Sequence, residues 1–188
     1  MSSGALVGDP QRVSGTLPEA AAGATILVQV SDPRSGWETV ATARATADGS
    51  FRAVWRAAHP GRFALRAILS AGGRAGASSR QPAPTAPISV YAPARATFFG
   101  PGFYGRRTAC GVLLGPGTVG VAHRTLPCGT RLEAYYGGRR LAVTVIDRGP
   151  YVTGISWDLT VAAARALRFA GQGQIGTMVI GRGAVPAH

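Results

Sequence analysis

Two side chains in the C-terminal half of the chain could transfer a proton, and both lie in glycine-rich turns. Asp147 follows the apolar run Leu141–Ile146 and precedes Arg-Gly-Pro. A carboxyl group at the end of a strand among apolar neighbours can hold a proton and donate it. His123 is the only internal histidine of this half, and a polar group that hydrogen-bonds such a carboxyl group would orient it. We therefore predict an acid–base site built on Asp147, with His123 as its helper.

The same turns carry side chains that could hold a substrate. Aromatic rings stack on flat ligand surfaces, and a guanidinium group binds a carboxylate through two parallel hydrogen bonds. The candidates are Tyr104, Arg107, Arg124, Arg148, Tyr151 and Asp158. Structural roles are the alternative. Asp147 could cap a turn or pair with Arg148, and Asp158 or Thr160 could cap a helix.

The two cysteines, Cys110 and Cys128, have 17 residues between them. Two cysteines cannot make a four-thiolate zinc site, and no histidine pair stands nearby at a ligand spacing. We therefore expect no metal and no cofactor. Two interpretations stay open on spacing alone: a disulfide in a protein outside the cytosol, or two buried thiols in a reducing compartment.

The strands and the helix that would position these turns are short. A Gly-Gly pair between two alternating runs predicts a β-hairpin, and an Ala-rich stretch predicts one helix. The predicted segments are the strands Thr130–Tyr136, Arg139–Ile146 and Ile175–Ile180 and the helix Leu159–Leu167. Glycine- and proline-rich connections around these strands favour a small closed β-barrel for residues 93–188.

Residues 11–92 show short alternating runs separated by turn residues, whereas residues 1–10 are predicted to be disordered. The predicted strands are Thr25–Val30, Trp37–Ala43, Phe51–Trp55, Arg62–Leu69 and Ile88–Tyr91. Strands at this spacing indicate a small β-sandwich, and their order loosely resembles that of bacterial Ig-like wall-associated domains. The proline-rich segment Gln81–Pro87 predicts a stiff link before a domain boundary near Pro93.

The composition constrains the partner. The 188-residue chain has 20 arginines, no lysine and 8 acidic residues, for a net charge of +12. This charge favours an anionic partner, but no basic cluster with interleaved aromatic residues points to a nucleic acid. No apolar stretch approaches the roughly 18 residues of a membrane span. The first residues do not form a signal peptide, so we expect that any export leader is absent from this chain.

Three segments of the C-terminal half resemble, in order and spacing, the RlpA-like (rare lipoprotein A) family. They are residues 97–111 (TFFGPGFYGRRTACG), 120–130 (GVAHRTLPCGT) and 145–151 (VIDRGPY). The resemblance covers about residues 96–181. It implies an all-β chain whose C-terminal domain is a six-stranded double-psi β-barrel with one short helix and a groove for glycan strands. It also implies that His123 and Asp147 occupy catalytic positions.

The resemblance further implies a reaction, because the family includes septal peptidoglycan lytic transglycosylases. In such an enzyme one acid protonates the glycosidic oxygen and then acts as base while the sugar's own 6-hydroxyl attacks, which leaves a 1,6-anhydro end. One carboxyl group can therefore suffice, unlike the pair of a usual hydrolase. The chain departs from the family in residues 112–120, which carry no acid where many members do. Cys110 and Cys128 flank this loop, so a disulfide that pins it becomes the favoured interpretation.

Two functions compete on this evidence. The first is an exported cell-envelope enzyme that cleaves peptidoglycan glycan strands as a lytic transglycosylase. The second is a non-catalytic, expansin-like module that binds or loosens peptidoglycan. The His123/Asp147 pair favours the enzyme, and the acid-free loop favours the binding module. In both cases we expect a monomer outside the cytosol whose partner is peptidoglycan.

Overall fold

The chain divides into two units, Met1–Val90 and Tyr91–His188, and both are built mainly of strands. The structure, a computed structural model, describes residues 3–17, 20, 22–32, 35–70 and 83–183. The division falls close to the predicted boundary near Pro93. The first two residues of the predicted link Gln81–Pro87 lie outside the described residues, and Ala86 already begins a strand.

The first unit contains two β-sheets. Its strands are β1 (Ser3–Leu6), β2 (Pro10–Thr16), β3 (Thr25–Asp32), β4 (Gly36–Arg44), β5 (Ser50–Arg56), β6 (Gly61–Leu69) and the beginning of β7 (Ala86–Phe99). One sheet has the order β7-β6-β3-β4 with β1 paired to β7, and the other pairs β2 with β5. Along β5, Phe51, Ala53 and Trp55 are buried whereas Arg52 and Val54 are exposed. This alternation gives each sheet one apolar face.

The apolar faces of the two sheets share a core. Ile26 and Val28 of β3 lie in one cluster with Phe51 and Ala53 of β5. The sheets therefore pack face to face, as the alternating runs predict, while the assignment of this sandwich as Ig-like stays a prediction. The structure differs from the predicted disorder of residues 1–10, because Ser3–Leu6 forms β1. Burial of Ala5 in a core cluster orders this segment.

The second unit is a closed six-stranded barrel. It is formed by the later part of β7 with β8 (Val121–Ala122), β9 (Thr130–Tyr136), β10 (Arg139–Asp147), β11 (Trp157–Thr160) and β12 (Gly173–Arg182). The strand order is β7-β12-β9-β10-β8-β11, and β11 pairs with β7 to close the circle. The β10–β8 and β11–β7 pairs are parallel, and the other pairs are antiparallel. The double-psi barrel and its hairpin are thereby confirmed.

The barrel interior is apolar and closely packed. Its core contains Val121, Leu132, Val145 and Leu159, each with no exposed surface. Gly120, just before β8, shows how tight the packing is, because a Cβ atom there would lie 2.5 Å from Cδ1 of Ile146. Only glycine fits at this approach of two strands.

The one α-helix of the described residues, α1 (Val161–Leu167), begins two residues later than the sequence predicts. Leu159 and Thr160 instead complete β11. Thr160 is extended, with φ −65° and ψ 155°, and its side chain accepts a hydrogen bond from the Ala163 amide. Thr160 is therefore the N-cap, and Asp158 is left free of that role. A short 3-10 turn (Pro101–Phe103) follows β7.

Candidate active site

One row of residues crosses four neighbouring strands of the barrel. Thr97 of β7 pairs with Asp158 of β11, Asp158 pairs with Ala122 of β8, and Ala122 pairs with Asp147 of β10. Residues paired directly across strands project from the same face of a sheet. Two strand spacings of about 4.8 Å separate the backbones of Asp147 and Asp158 by about 10 Å. His123 follows Ala122 directly, so the row brings the two predicted catalytic residues and Asp158 together.

Asp147 lies at the end of β10, where its carboxyl group is held by backbone amides. Its Oδ1 atom accepts hydrogen bonds from the amides of Ala109 (2.9 Å) and Arg148 (2.8 Å). With both amides on Oδ1, the Oδ2 atom is the one left to face a substrate. The Asp147 backbone carbonyl also accepts the His123 amide at 3.2 Å. The link between the two predicted catalytic residues is therefore made through the backbone.

The His123 ring is held by its own loop. Its Nδ1 atom accepts hydrogen bonds from the amides of Thr125 (3.2 Å) and Leu126 (3.0 Å). A neutral ring whose Nδ1 atom is an acceptor carries its proton on Nε2. The side chain thus orients the turn rather than the carboxyl group of Asp147, contrary to the predicted arrangement. It offers one N–H donor, on Nε2, to a substrate.

The charge state of His123 follows from its surroundings. Burial lowers its pKa below the ordinary value of 6.5, and the positive charges of Arg124 and Arg148 lower it further. The ring also packs on Trp157, with 4.4 Å between the ring centroids. His123 is therefore neutral at pH 7, which suits a hydrogen-bond donor and not a cation.

Asp158 is half-buried and lies on the same face as Asp147. Burial raises the pKa of Asp158, a hydrogen bond from Thr97 partly offsets this, and the charge of Asp147 raises it again. The Thr97 Oγ1 atom donates to Asp158 Oδ1 over 2.6 Å. A carboxyl group in this setting keeps its proton to a higher pH than an exposed aspartate does.

Arg148 is committed to the loop that carries His123. Its Nη1 atom donates to the carbonyls of Leu126 (2.8 Å) and His123 (3.2 Å), and its Nη2 atom donates to Cys128 Sγ (3.1 Å). The predicted alternative, an ion pair of Arg148 with Asp147, is not formed among the described residues. Arg148 contacts the carboxyl group of Asp147 through its backbone amide and not through its guanidinium group.

Two other predicted arginines lie at the surface. Arg124 donates to the Ile155 carbonyl over 2.6 Å, and Arg107 donates to the Gly111 carbonyl over 2.9 Å. Each side chain is exposed and bonded to a neutral oxygen, so its charge is not neutralised by these contacts. Both remain available to an anionic group of a substrate.

The two predicted tyrosines differ in exposure. Tyr151 is 79% exposed and follows the cis peptide bond Gly149-Pro150. Tyr104 is half-buried and packs over Gly100, where a Cβ atom would lie 3.0 Å from the tyrosine hydroxyl. Tyr151 is therefore the better placed of the two to stack on a sugar ring.

Cys110 and Cys128 form a disulfide, as favoured from the sequence, with 5.7 Å between their Cα atoms. The bond joins the turn next to Ala109 to the end of the loop that begins at His123. It is thus attached to both sides of the candidate site. A disulfide is typical of proteins that fold in an oxidising compartment.

Two groups of the site were missed by sequence reasoning. Thr97, which bonds Asp158, lies in a motif that the sequence shows, but its role depends on the pairing of β7 with β11. The Ala109 amide, which bonds Asp147, is a backbone group that no residue pattern marks. Among the described residues, no group of three or more His, Cys, Asp or Glu side chains is placed to hold a metal ion. The described helices include none that is long and apolar enough to cross a membrane.

The comparison with family models concerns the second unit. The family model described as "Lytic transglycolase" matches residues 92–179. A protein of Synechocystis sp. named "Probable endolytic peptidoglycan transglycosylase RlpA" is 45% identical over 74 residues, which are 38% of this chain and 23% of that protein. A protein of the same name from Aquifex aeolicus is 46% identical over 74 residues, 38% of this chain and 33% of that protein.

A third relative, from Campylobacter jejuni, is named "Endolytic peptidoglycan transglycosylase RlpA" and is 38% identical over 71 residues. The match covers 37% of this chain and 26% of that protein. The aligned part thus spans between about a quarter and a third of the length of these relatives. The part of the chain that matches the family model, residues 92–179, coincides with the barrel and is similar to the RlpA-like double-psi β-barrel family.

Proposed function

We propose that this chain cleaves peptidoglycan glycan strands as a lytic transglycosylase, in which Asp158 donates and regains the proton and Asp147 stabilises the charge that develops on the sugar. The observation that carries the proposal is the unequal setting of two carboxyl groups in one row. Burial raises the pKa of Asp158, whereas Asp147 is bound by two backbone amides. Of two such carboxyl groups, the one whose pKa is raised is the better proton donor. The names of the RlpA relatives support the substrate.

The barrel contains few other carboxylic side chains that could act in catalysis. Residues 92–179 contain three carboxylic side chains, Glu133, Asp147 and Asp158. Glu133 lies on β9 and accepts a hydrogen bond from the Tyr91 hydroxyl, outside the row that contains the two aspartates. The absence of an acid from residues 112–120 is therefore compatible with cleavage, because Asp158 supplies the second carboxyl group.

The proposed reaction needs no water. Asp158 gives its proton to the glycosidic oxygen, and the bond from that oxygen to the anomeric carbon breaks. Asp147 stabilises the positive charge that develops at the anomeric carbon. The 6-hydroxyl oxygen of the same sugar then bonds to this carbon, and its proton returns to Asp158. The products are a free 4-hydroxyl end and a 1,6-anhydro end, and the acid is regenerated.

The remaining candidates bind and orient the strand. His123 donates from Nε2 to a sugar oxygen, and Tyr151 stacks on a sugar ring. Arg107 and Arg124 bind carboxylates of the stem peptides. The enzyme works as an exported monomer in the cell envelope, with the Ig-like first unit as a spacer or a second wall-binding surface. The disulfide supports this location.

Digestion of purified sacculi tests the proposal. Mass spectrometry should find anhydro-muropeptides, both from intact sacculi and from strands stripped of stem peptides. Asp158→Asn should lower the rate by at least about 100-fold, the usual contribution of a general acid or base. Asp147→Asn should lower it by about 100-fold as well, because the charge that stabilises the transition state is lost. Asp9→Asn removes an equal charge from an exposed turn of the first unit and should leave the rate unchanged. Products with reducing ends, or none at all, would refute cleavage by this route.

The second candidate function is binding without cleavage, which the acid-free loop and the net charge of +12 favour. The same experiment separates the two functions. A protein that sediments with sacculi but releases no soluble product, in wild type as in Asp158→Asn, is a binding module.

A further inference from the structure

The disulfide and the candidate catalytic carboxyl group are connected through two successive residues. Ala109 gives its amide to Asp147 Oδ1 at 2.9 Å, and Cys110, the next residue, is bonded to Cys128. The other amide on Oδ1 comes from Arg148, next to Asp147 in the chain, so it is present wherever β10 forms. The Ala109 amide instead arrives from 38 residues earlier. Its position depends on what holds that segment.

The segment in question is residues 105–114, here called the 105–114 hairpin. Within this hairpin, the Gly105 amide donates a hydrogen bond to the Leu114 carbonyl (2.9 Å), and the Leu114 amide donates one to the Arg106 carbonyl (2.9 Å). These bonds shape the hairpin, but they do not attach its tip to the barrel. Val112 and Leu114 are buried and anchor its returning strand, whereas Ala109 is exposed. At the tip, the disulfide is the covalent attachment next to the Ala109 amide.

The other end of the disulfide is fixed by the site itself. Cys128 Sγ accepts a hydrogen bond from Arg148 Nη2 at 3.1 Å, while Arg148 Nη1 bonds the carbonyls of His123 and Leu126. The tip is therefore tied to a loop that is already held by the residue following Asp147. Cys128 is thus held in place by Arg148, and the bond from Cys110 to Cys128 attaches the tip of the hairpin to it.

We propose that the Cys110–Cys128 disulfide is a positioning device for Asp147, which holds the Ala109 amide against Oδ1 and leaves Oδ2 facing the substrate. Cys110 and Cys128 flank the loop 112–120, which itself carries no acidic residue. The inference rests on the proposed function for its effect on turnover, but not for its effect on the Ala109 amide. Because the attachment is a disulfide, a reductant releases it and air restores it.

The chemistry of the release is thiol–disulfide exchange with dithiothreitol. A dithiothreitol thiolate attacks one cysteine sulfur and frees the other as a thiolate, which takes up a proton. The second dithiothreitol thiol then closes its ring and frees the remaining cysteine. The protein disulfide gains two electrons and two protons, and dithiothreitol loses them as its cyclic disulfide.

The test compares oxidised and reduced wild-type protein, with Cys110→Ser/Cys128→Ser as the permanent form. In each, kcat and KM are measured on sacculi by anhydro-muropeptide release, and the exchange rate of the Ala109 amide is measured by NMR. We expect kcat to fall at least tenfold with KM changed less than threefold, and Ala109 exchange to quicken at least tenfold. Reoxidation should restore both values. Unchanged exchange and kcat in a reduced protein that keeps its circular dichroism spectrum would overturn the proposal.

A second pair of variants keeps the test decisive should the reduced forms unfold. Ala109→Pro removes the amide hydrogen with the disulfide intact, and Ala109→Gly keeps it. We expect Ala109→Pro to lose kcat to the same extent as the reduced protein and Ala109→Gly to retain it; a fully active, folded Ala109→Pro would overturn the proposal. Should oxidised wild type release no anhydro products, the proposed function fails, and the Ala109 exchange rate alone decides whether the disulfide positions that amide.

Discussion

At the scale of single residues, burial acts in opposite directions on two neighbours in the site. It lowers the pKa of His123 and raises that of Asp158, because in each case the charged form is the one that loses hydration. Both groups are thereby favoured in their neutral forms, each with a proton to donate. Asp147 differs from both, because its Oδ1 atom is bound by two backbone amides. The place of His123 and Asp158 in the fold, more than their residue types, therefore makes each of them a proton donor.

The variant Asp158→Asn should change the thermal stability of the protein in a pH-dependent way, because burial disfavours the charged form of Asp158. The pKa of Asp158 is raised above its ordinary value of 3.8, so the stability it contributes is present below that value and is lost as pH rises through the folded-state pKa. Asparagine does not ionise and still accepts from Thr97. The Tm of the variant should therefore exceed that of wild type at pH 7, and the difference should close near pH 3.

Calorimetry from pH 3 to pH 8 checks the expected Tm difference. Asp9→Asn, at an exposed turn, is the control and should follow wild type throughout. A Tm of Asp158→Asn that equals wild type near pH 3 and falls below it as pH rises would show that the charged form is stabilised by the fold, which contradicts the assigned role as proton donor.

Two substitutions of His123 should separate its two nitrogen atoms. Asn places an acceptor near the Nδ1 position and lacks the Nε2 donor, whereas Gln reaches the Nε2 position and leaves the amides of Thr125 and Leu126 without their acceptor. We expect His123→Asn to keep its Tm and lose about 100-fold in kcat, as when one hydrogen-bond donor to a transition state is removed. His123→Gln should instead lose about 1 kcal/mol of stability.

Denaturant melts and anhydro-muropeptide rates, measured on both variants, check this division. Equal stability losses in the two variants would mean that the Nδ1 bonds do not hold the turn. An active His123→Asn would remove the Nε2 donor from the mechanism.

At the scale of elements, the sequence predicts what local patterns determine and misses what pairing determines. The strand Thr130–Tyr136 is found with its predicted bounds, because alternation and a Gly-Gly turn are local signals. The helix starts late because Thr160, in a β-strand, is also its cap. The same limit applies to the site. His123 and Asp147 stand out by type, but the place of Asp158 beside them follows from the register of β11 on β8, which no local pattern encodes.

Thr160→Ala should therefore lower the stability of the fold by more than the loss of a helix cap alone. The Thr160 Oγ1 atom accepts from the amides of Ala163 and Gly120, each at 3.2 Å, so one hydroxyl joins the start of α1 to the start of β8. Loss of a cap costs about 1 kcal/mol, and leaving the buried Gly120 amide unpaired adds about 1–3 kcal/mol. Thr160→Ser retains the hydroxyl and should lose less than half as much. Urea denaturation measures both, and equal losses would mean that the methyl group, not the hydroxyl, is what matters.

At the scale of the whole molecule, the arginines act together as a charge. Residues 1–95 carry 10 arginines and 5 acids, and residues 96–188 carry 10 arginines and 3 acids, giving +5 and +7. Both halves are therefore attracted to an anionic polymer, and the proposed function predicts that residues outside the site contribute to substrate binding. This attraction is long-ranged and is screened by salt. The proposed stacking on Tyr151 and hydrogen bonding by His123 act at contact distance, and salt screens them little.

Raising the salt concentration should therefore separate attraction from catalysis. Between 0.1 M and 1 M NaCl the screening length falls from about 10 Å to about 3 Å, so we expect sedimentation with sacculi to weaken at least tenfold. Cleavage of soluble strands stripped of their stem peptides, measured at saturating concentration, should change less than twofold, because those strands have lost the peptide carboxylates. Binding that is insensitive to salt would assign recognition to the aromatic and hydrogen-bonding residues of the groove, and would leave the net charge of +12 without a part in it.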